Sequence, residues 1–233
     1  MSQVGEPLPS RMKSYEMQCY ALPRVPKVIR LDGRAFGTFL KGIKDTFDST
    51  FMLAMNQACI SLMEDIGGTA RMAYLQSDEC SIVLNDDLAI DTQAWFGNNV
   101  QKMTSISASI FTKTFSLQYI SQKAAHFDSR VVQLPNTVEL NNYLIWRQRD
   151  AIRNSVNKYG RSFYSHSVME GMSVEEVKAK IIKDGHPAWS DLFEWKQKGV
   201  CIVRNATGDL VIDWNIPDFS ENTEYSSKQY HPQ

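Results

Sequence analysis

The sequence predicts an α+β fold with the element order β-α-β-β-α-β, an antiparallel sheet that carries two helices on one face. Four short apolar or alternating segments within residues 1–136 have the character of strands. Two longer segments between them have the apolar spacing of helices. This order is the ferredoxin-like arrangement.

The first strand is predicted at residues 28–32, where apolar and polar residues alternate. Arg30 and Asp32 therefore share one face of the strand, because successive side chains point to opposite sides. A helix follows at residues 49–65, with Asp48 as its N-cap.

Two further strands are predicted at residues 70–75 and 80–84, and the polar stretch Gln76-Ser77-Asp78-Glu79 between them indicates a hairpin. The second helix is predicted at residues 92–115. The fourth strand is predicted at residues 127–134 and ends at a proline.

From Glu139 onward the pattern is mainly helical, with a short strand near residues 200–203 and a polar, loosely ordered tail after Pro217. We expect a catalytic domain at residues 1–136 and a helical C-terminal region at residues 137–233. The second is expected to pack on the first as one structural unit.

Composition narrows the possible functions. Of 233 residues, 43% are hydrophobic and 22% charged, which is typical of a soluble globular protein. No apolar run is long enough to span a bilayer, so we expect no membrane partner. The four cysteines lack metal or redox spacing, which favours reduced thiols in the cytoplasm. With a net charge of −1, any RNA binding must depend on local basic clusters.

Three carboxylates are candidates for catalysis. In the predicted fold, Asp32 at the end of the first strand lies beside Asp78 and Glu79 in the hairpin. Facing carboxylates repel each other unless a cation lies between them, and Mg²⁺ prefers such oxygen ligands and couples them to phosphates. The alternative is that Asp32 forms a turn and the other two lie at a solvated hairpin tip.

Several cations are candidates for binding phosphate or RNA. Arg30 shares the face of Asp32 and is suited either to clamp a phosphate or to form a structural ion pair. Lys102 lies on a helical stripe with two serines and is a second candidate. On the long third helix, Arg147, Lys158 and Arg161 follow one stripe that suggests an RNA footprint, although basic residues on an exposed helix need no partner.

Several motifs occur in a fixed order: Arg30-Leu31-Asp32-Gly33-Arg34-Ala35-Phe36, Gln76-Ser77-Asp78-Glu79, Phe127-Asp128-Ser129-Arg130-Val131 and Tyr143-Leu144-Ile145-Trp146-Arg147-Gln148-Arg149-Asp150-Ala151. Together they resemble the tRNA-His guanylyltransferase superfamily over about residues 11–204. The resemblance implies a polymerase-like palm that extends RNA in the 3′-to-5′ direction with two Mg²⁺ ions, and that acts as a homotetramer. It also implies activation of the RNA 5′ end by ATP, followed by attack of the 3′ hydroxyl of GTP or another nucleoside triphosphate.

The resemblance also implies site residues. The metal ligands and catalytic residues are expected at Asp32, the Gly33 carbonyl, Asp78 and Glu79. The nucleotide contacts are expected at Arg30, Asp32, Gly33, Arg34, Ala35, Phe36, Gly37, Ser77, Asp78 and Lys102. RNA contacts are expected at Arg130, Arg147, Arg153, Ser165 and His166.

Two departures from the family pattern concern the substrate. Gly37 stands where the family usually has histidine, and Ile152-Arg153-Asn154-Ser155 stands where enzymes that add G−1 to tRNA-His carry His-Ile-Asn-Asn. At the second of these positions, the sequence resembles the branch of the family that repairs truncated tRNA 5′ ends. We therefore expect template-dependent 3′-to-5′ addition of nucleotides to tRNA. The alternatives are G−1 addition, a nucleotide cyclase on the same palm, and an inactive RNA-binding palm.

Overall fold

The computed structural model describes residues 7–40, 47–121 and 123–230. The strands are β1 (Lys27–Gly33), β2 (Ala70–Gln76), β3 (Glu79–Leu84), β4 (Phe127–Gln133), β5 (Val200–Arg204) and β6 (Leu210–Asp213). The helices are α1 (Leu8–Lys13), α2 (Phe36–Phe39), α3 (Ser49–Ile66), α4 (Val100–Gln118), α5 (Thr137–Gly160), α6 (His166–Met169), α7 (Val174–Lys183), α8 (Glu194–Lys198) and α9 (Glu224–Tyr230). None of the helices in the described ranges is long and apolar enough to cross a membrane.

The six strands form one antiparallel sheet in the order β4-β1-β3-β2-β5-β6. Its first four strands have the order expected of a ferredoxin-like fold, and α3 and α4 pack together on one face, so the predicted fold class is confirmed. The predicted start of α3 is also confirmed. Asp48 caps this helix by accepting hydrogen bonds from the Thr50 and Phe51 N–H groups at 2.9 and 3.3 Å.

The second predicted helix begins later than expected, at Val100 rather than near residue 92. A 3₁₀ turn at Trp95–Asn98 precedes it, and Phe96, Gly97 and Asn98 have positive φ angles that a continuous helix does not allow. Asn99 then caps the helix by accepting a hydrogen bond from the Lys102 N–H group at 3.0 Å.

The C-terminal region is less purely helical than predicted. The predicted strand near residues 200–203 is confirmed as β5, which pairs with β2, and the unpredicted β6 extends the sheet beyond it. The part of the tail that the structure describes, residues 218–230, is not loosely ordered as predicted, because it includes α9. Tyr230 at the end of α9 is buried, and its carbonyl accepts a hydrogen bond from the Asn85 side chain at 2.9 Å.

Apolar cores lie on both faces of the sheet. Ile29 and Leu31 of β1 pack with α3 and α4, whereas Val28 belongs to a second core with the start of α5 and with α9. Because side chains alternate along a strand, Arg30 and Asp32 lie on the face of Val28. The polar residues of β1 therefore point toward α5, and this placement determines where the site forms.

Candidate active site

The sheet register brings acidic residues of three strands together. Asp32 on β1 lies directly opposite Glu79 on β3 and Asp128 on β4. Asp78 lies in the two-residue turn between β2 and β3, and its carbonyl accepts a hydrogen bond from the Gly33 N–H group at 3.0 Å. The end of β1 and the hairpin turn are thus joined, as the sequence predicts.

The hairpin turn has strained backbone geometry. Ser77 has a φ angle of +48°, in the left-handed region that L residues rarely adopt. Such a conformation costs about 1–2 kcal/mol and is most common at functional sites. The strain is retained beside Asp78, whose backbone carbonyl bonds to the end of β1.

Gly33 and Phe36 form a tight structural unit. A Cβ atom at Gly33 would lie 2.4 Å from Cδ2 of Phe36, so this position requires glycine. The Phe36 ring is buried and packs against the rings of Phe39, Phe115 and Phe127. Its side chain is therefore a core element that also borders the cleft, and its expected nucleotide contact stays a prediction.

A cleft of about 540 Å³ opens between this end of the sheet and α5. It is lined by Arg30, Asp32, Phe36, Gly37, Leu40, Gln76, Ser77, Asp78, Glu79, Arg147, Asp150, Asn154, Asn157, Lys158 and Arg161. Two residues of the predicted nucleotide loop, Arg34 and Ala35, are exposed and are not among the residues that line it. An added Cβ at Gly37 would meet no atom within 4 Å, so the position of the family histidine is open space.

Glu79 is enclosed by cations. Its carboxylate is buried, with Oε2 at 2.8 Å from a guanidinium nitrogen of Arg30 and Oε1 at 2.8 Å from Nε of Arg147. Burial raises the pKa of Glu79, and the charges of Arg147 and Arg30 oppose this rise. Both carboxylate oxygens of Glu79 thus lie beside guanidinium groups, and its expected role as a metal ligand stays a prediction.

Arg147 is likewise held in buried ion pairs. The side chain is 4% exposed and also pairs with Asp150 at 2.6 Å, one helical turn further along α5. Its guanidinium carbon lies 4.2 Å from the centre of the Trp146 ring. Arg147 also lines the cleft, and its expected role as an RNA contact stays a prediction.

Asp32 and Asp78 remain as the carboxylates that fit Mg²⁺. The Asp32 side chain is 35% exposed in the cleft. Burial raises the pKa of Asp78, and the negative charge of Asp32 raises it further. A cation between two such carboxylates would relieve this repulsion. The described residues contain no group of three or more His, Cys, Asp or Glu side chains able to hold a metal. Two carboxylates nevertheless suit Mg²⁺, which completes its coordination with phosphates and water.

A smaller pocket of about 70 Å³ adjoins the cleft and shares Gln76, Ser77, Asn154 and Lys158 with it. Aromatic rings of Phe47, Phe51 and Trp195 contribute to its walls. Sequence reasoning missed this pocket, because Trp195 on α8 lies more than 140 residues along the chain from Phe51. The combination of a polar cleft and an adjacent aromatic pocket suits a nucleotide.

Lys102 is not among the residues that line the cleft, and its expected role as a triphosphate contact stays a prediction. The helix α4 packs on the face of β4 that carries Ser129, with the Ser107 and Ser129 hydroxyls 2.7 Å apart. Arg130, the next residue of β4, lies opposite Arg30 on the other face. Lys102 instead lines a separate cleft of about 570 Å³ near residues 16–20.

The other predicted RNA contacts lie outside the cleft. Arg130 and Arg153 are exposed, and each pairs with an acid of its own element, Asp128 and Asp150 respectively. Ser165 and His166 are exposed at the start of α6. The structure therefore gathers the carboxylates but does not bring the predicted RNA residues together with them, and their roles stay predictions.

The family model described as Thg1, tRNAHis guanylyltransferase, matches residues 9–135. A bacterial tRNA(His) guanylyltransferase (Thg1)-like protein solved in complex with ATP has a TM-score of 0.90 and 33% identity, and the match covers 96% of this chain and 99% of that one. A second such structure, in complex with GTP, has a TM-score of 0.83 and 32% identity, with 96% and 98% covered. A probable tRNA(His) guanylyltransferase of Drosophila melanogaster is 30% identical over 178 residues. That alignment covers 73% of this chain and 59% of the fly protein, so this chain spans less than two thirds of that relative. The chain belongs to the tRNAHis guanylyltransferase family, a family of nucleotidyltransferases.

Proposed function

We propose that the chain adds nucleotides to the 5′ end of tRNA in the 3′-to-5′ direction, with the opposing strand as template. The main supporting observation is the meeting of Asp32 and Asp78 at the floor of a cleft large enough for a nucleoside triphosphate. The likeness to bacterial Thg1-like proteins in complex with ATP and with GTP supports nucleotide binding at such a cleft.

The reaction would take place in two balanced steps. In the first, an oxygen of the RNA 5′-monophosphate attacks the α-phosphorus of ATP, and pyrophosphate leaves. In the second, the 3′ hydroxyl of an incoming nucleoside triphosphate attacks the adenylylated 5′ phosphate, and AMP leaves. The new 5′ end then carries the triphosphate of the added nucleotide.

Each residue of the cleft would have a distinct task. Asp32 and Asp78, with the Gly33 carbonyl, would hold Mg²⁺, which when bound lowers the charge on the reacting phosphate and activates the attacking hydroxyl. Glu79 would not bind metal but would fix the guanidinium of Arg30, which faces the cleft beside Asp32. The adjacent aromatic pocket would hold a base by stacking.

The sequence of α5 favours repair of truncated tRNA over G−1 addition. Of the four residues at the position of the family His-Ile-Asn-Asn motif, Asn154 lines the cleft, while Arg153 points to the surface and pairs with Asp150. The histidine of the G−1-adding enzymes is replaced by Ile152, so its chemistry is absent from this position.

The test is a 5′-monophosphorylated tRNA that lacks its first nucleotide, incubated with ATP, Mg²⁺ and each labelled nucleoside triphosphate. Addition that follows the opposing base supports repair, whereas addition of G alone to intact tRNA-His supports the guanylyltransferase alternative. A cyclic nucleotide formed without RNA would indicate a cyclase. RNA binding with no nucleotide product from the unmodified chain would refute the proposal.

Asp78→Ala should abolish nucleotide addition, because it removes one of the two carboxylates that would hold Mg²⁺. Glu175→Ala is the matched control, since Glu175 is exposed on α7, far outside the cleft lining. Circular dichroism should show the same helix content in both variants. Undiminished addition by Asp78→Ala would contradict the assignment of the metal site.

A further inference from the structure

We infer that one face of α5, formed by Asn154, Asn157, Lys158 and Arg161, is a phosphate-binding wall of the cleft. The ligand chemistry is an anionic phosphate group, either in the triphosphate of a nucleotide or at the 5′ end of an RNA. The inference rests on the proposed function for its substrates, but its test measures binding and is independent of turnover.

The four residues share one side of the helix. Their positions follow the spacing i, i+3, i+4 and i+7, which places side chains in one stripe along an α-helix. All four line the cleft, on the wall that faces Asp32 and Asp78. Two amide and two cationic side chains are thus presented together toward the site of the reacting phosphates.

The acid nearest to this stripe on α5 has other partners. Asp150, one turn before Asn154, is paired with Arg147 and Arg153. In the described part of the chain, no carboxylate pairs with Arg161. The guanidinium of Arg161 is therefore not neutralised by an acid of its own helix.

A purely structural explanation accounts for only part of this pattern. Cations near the C-terminus of a helix are favoured by the helix dipole, and Lys158 and Arg161 lie in and just after the last turn of α5. The Lys158 ammonium also lies 5.3 Å from the centre of the Phe47 ring. Neither effect requires the two asparagines of the stripe to line the same cleft.

The spacing of the two cations suits neighbouring phosphate groups. Three residues along an α-helix correspond to a rise of about 4.5 Å. Guanidinium and ammonium groups bind phosphate oxygens by charge-assisted hydrogen bonds, which are about twice as strong as neutral ones. Asp32 and Asp78, which would hold Mg²⁺, line the same cleft.

The experiment compares the unmodified chain with Lys158→Gln/Arg161→Gln. A matched control, Arg149→Gln/Lys183→Gln, removes the same charge from exposed residues outside the cleft lining. Calorimetry with Mg²⁺ would give the affinities for ATP and GTP, and for adenosine and guanosine as probes without phosphate. Filter binding would compare 5′-monophosphorylated tRNA with the same tRNA carrying a 5′ hydroxyl. Lys158→Arg with wild-type Arg161 should retain most of the affinity.

If the triphosphate is the ligand, the double variant should bind ATP and GTP at least about tenfold more weakly, as expected for lost hydrogen bonds to charged groups. Its affinity for the nucleosides should not change. If the RNA end is the ligand, nucleotide affinity should persist and the preference for the 5′ phosphate should disappear. The inference would be overturned if the double variant kept its affinity both for nucleotides and for 5′-monophosphorylated tRNA. An equal loss of affinity in the control variant would also overturn it. An unmodified chain that binds nucleotide at this wall but adds none to RNA would refute the proposed function alone.

Discussion

Replacement of Arg147 by methionine tests the buried ion-pair network beneath the cleft. Arg147 is 4% exposed and contacts Glu79 at 2.8 Å and Asp150 at 2.6 Å. Methionine fills a similar volume without the charge. The variant would leave Glu79 buried with Arg30 as its remaining cationic partner.

The expected cost follows from the burial of the pair. Removal of one partner of a buried ion pair typically costs about 3–5 kcal/mol, because an uncompensated charge remains in a poorly solvated place. Arg153→Met is the matched control, since Arg153 lies on the same helix, pairs with the same Asp150 and is 61% exposed. Its loss should cost about 0–1 kcal/mol, as for other surface pairs.

Urea unfolding followed by far-UV circular dichroism would give the free energy of unfolding of each variant and of the unmodified chain. The double variant Arg147→Met/Glu79→Gln should recover part of the loss, because neutral glutamine no longer requires two guanidinium partners. A cost below about 1 kcal/mol for Arg147→Met would refute the reasoning, since that is the range of a solvated pair. Strict additivity of the two single changes would refute the coupling between the residues.

Two further predictions concern stability. Gly199→Ala should destabilise the fold by at least about 2 kcal/mol more than Gly208→Ala. Both positions have positive φ, but an added Cβ at Gly199 would lie 2.3 Å from the Leu75 carbonyl oxygen, whereas Gly208 has open space; equal losses in urea unfolding would contradict this. Asp48→Ala should cost about 1 kcal/mol at pH 7. Burial opposes ionisation of Asp48, yet hydrogen bonds from Tyr119 and from N–H groups of α3 lower its pKa. The stabilisation is therefore present above the unfolded-state pKa and is lost as pH falls through the folded-state value, so the wild-type advantage should shrink by pH 3; a constant advantage would contradict this.

Local patterns predict the palm elements well. Alternation in β1, the capping residue Asp48 and the apolar stripe of α3 are properties of short segments, and their periodicity survives in the fold. The polar hairpin between β2 and β3 is equally evident from a short stretch of residues. These local features are sufficient to place Asp32 beside Asp78.

The errors arise where backbone geometry or distant partners decide the outcome. The left-handed residues Phe96, Gly97 and Asn98 delay α4. Gly97 and Asn98 are types that favour turns, and the prediction gives this local signal less weight than the helical pattern around it. The short strand β6 forms a hairpin with β5, and β5 in turn depends on pairing with the distant strand β2. The tail forms α9 because Tyr230 finds a buried place on the second core.

Glu79 shows most clearly why a motif alone does not define a role. Asp78 and Glu79 are neighbours, but the strand begins between them, so the first stays in the turn and the second joins the sheet face beneath α5. There, a helix that starts more than 50 residues later supplies Arg147. Once Glu79 is held between two guanidinium groups, its charge is compensated without metal, and Asp32 and Asp78 are left to face the cleft. The site thus separates its acids by environment: Glu79 lies between two guanidinium groups, whereas Asp32 and Asp78 are the acids that we propose to hold a divalent ion.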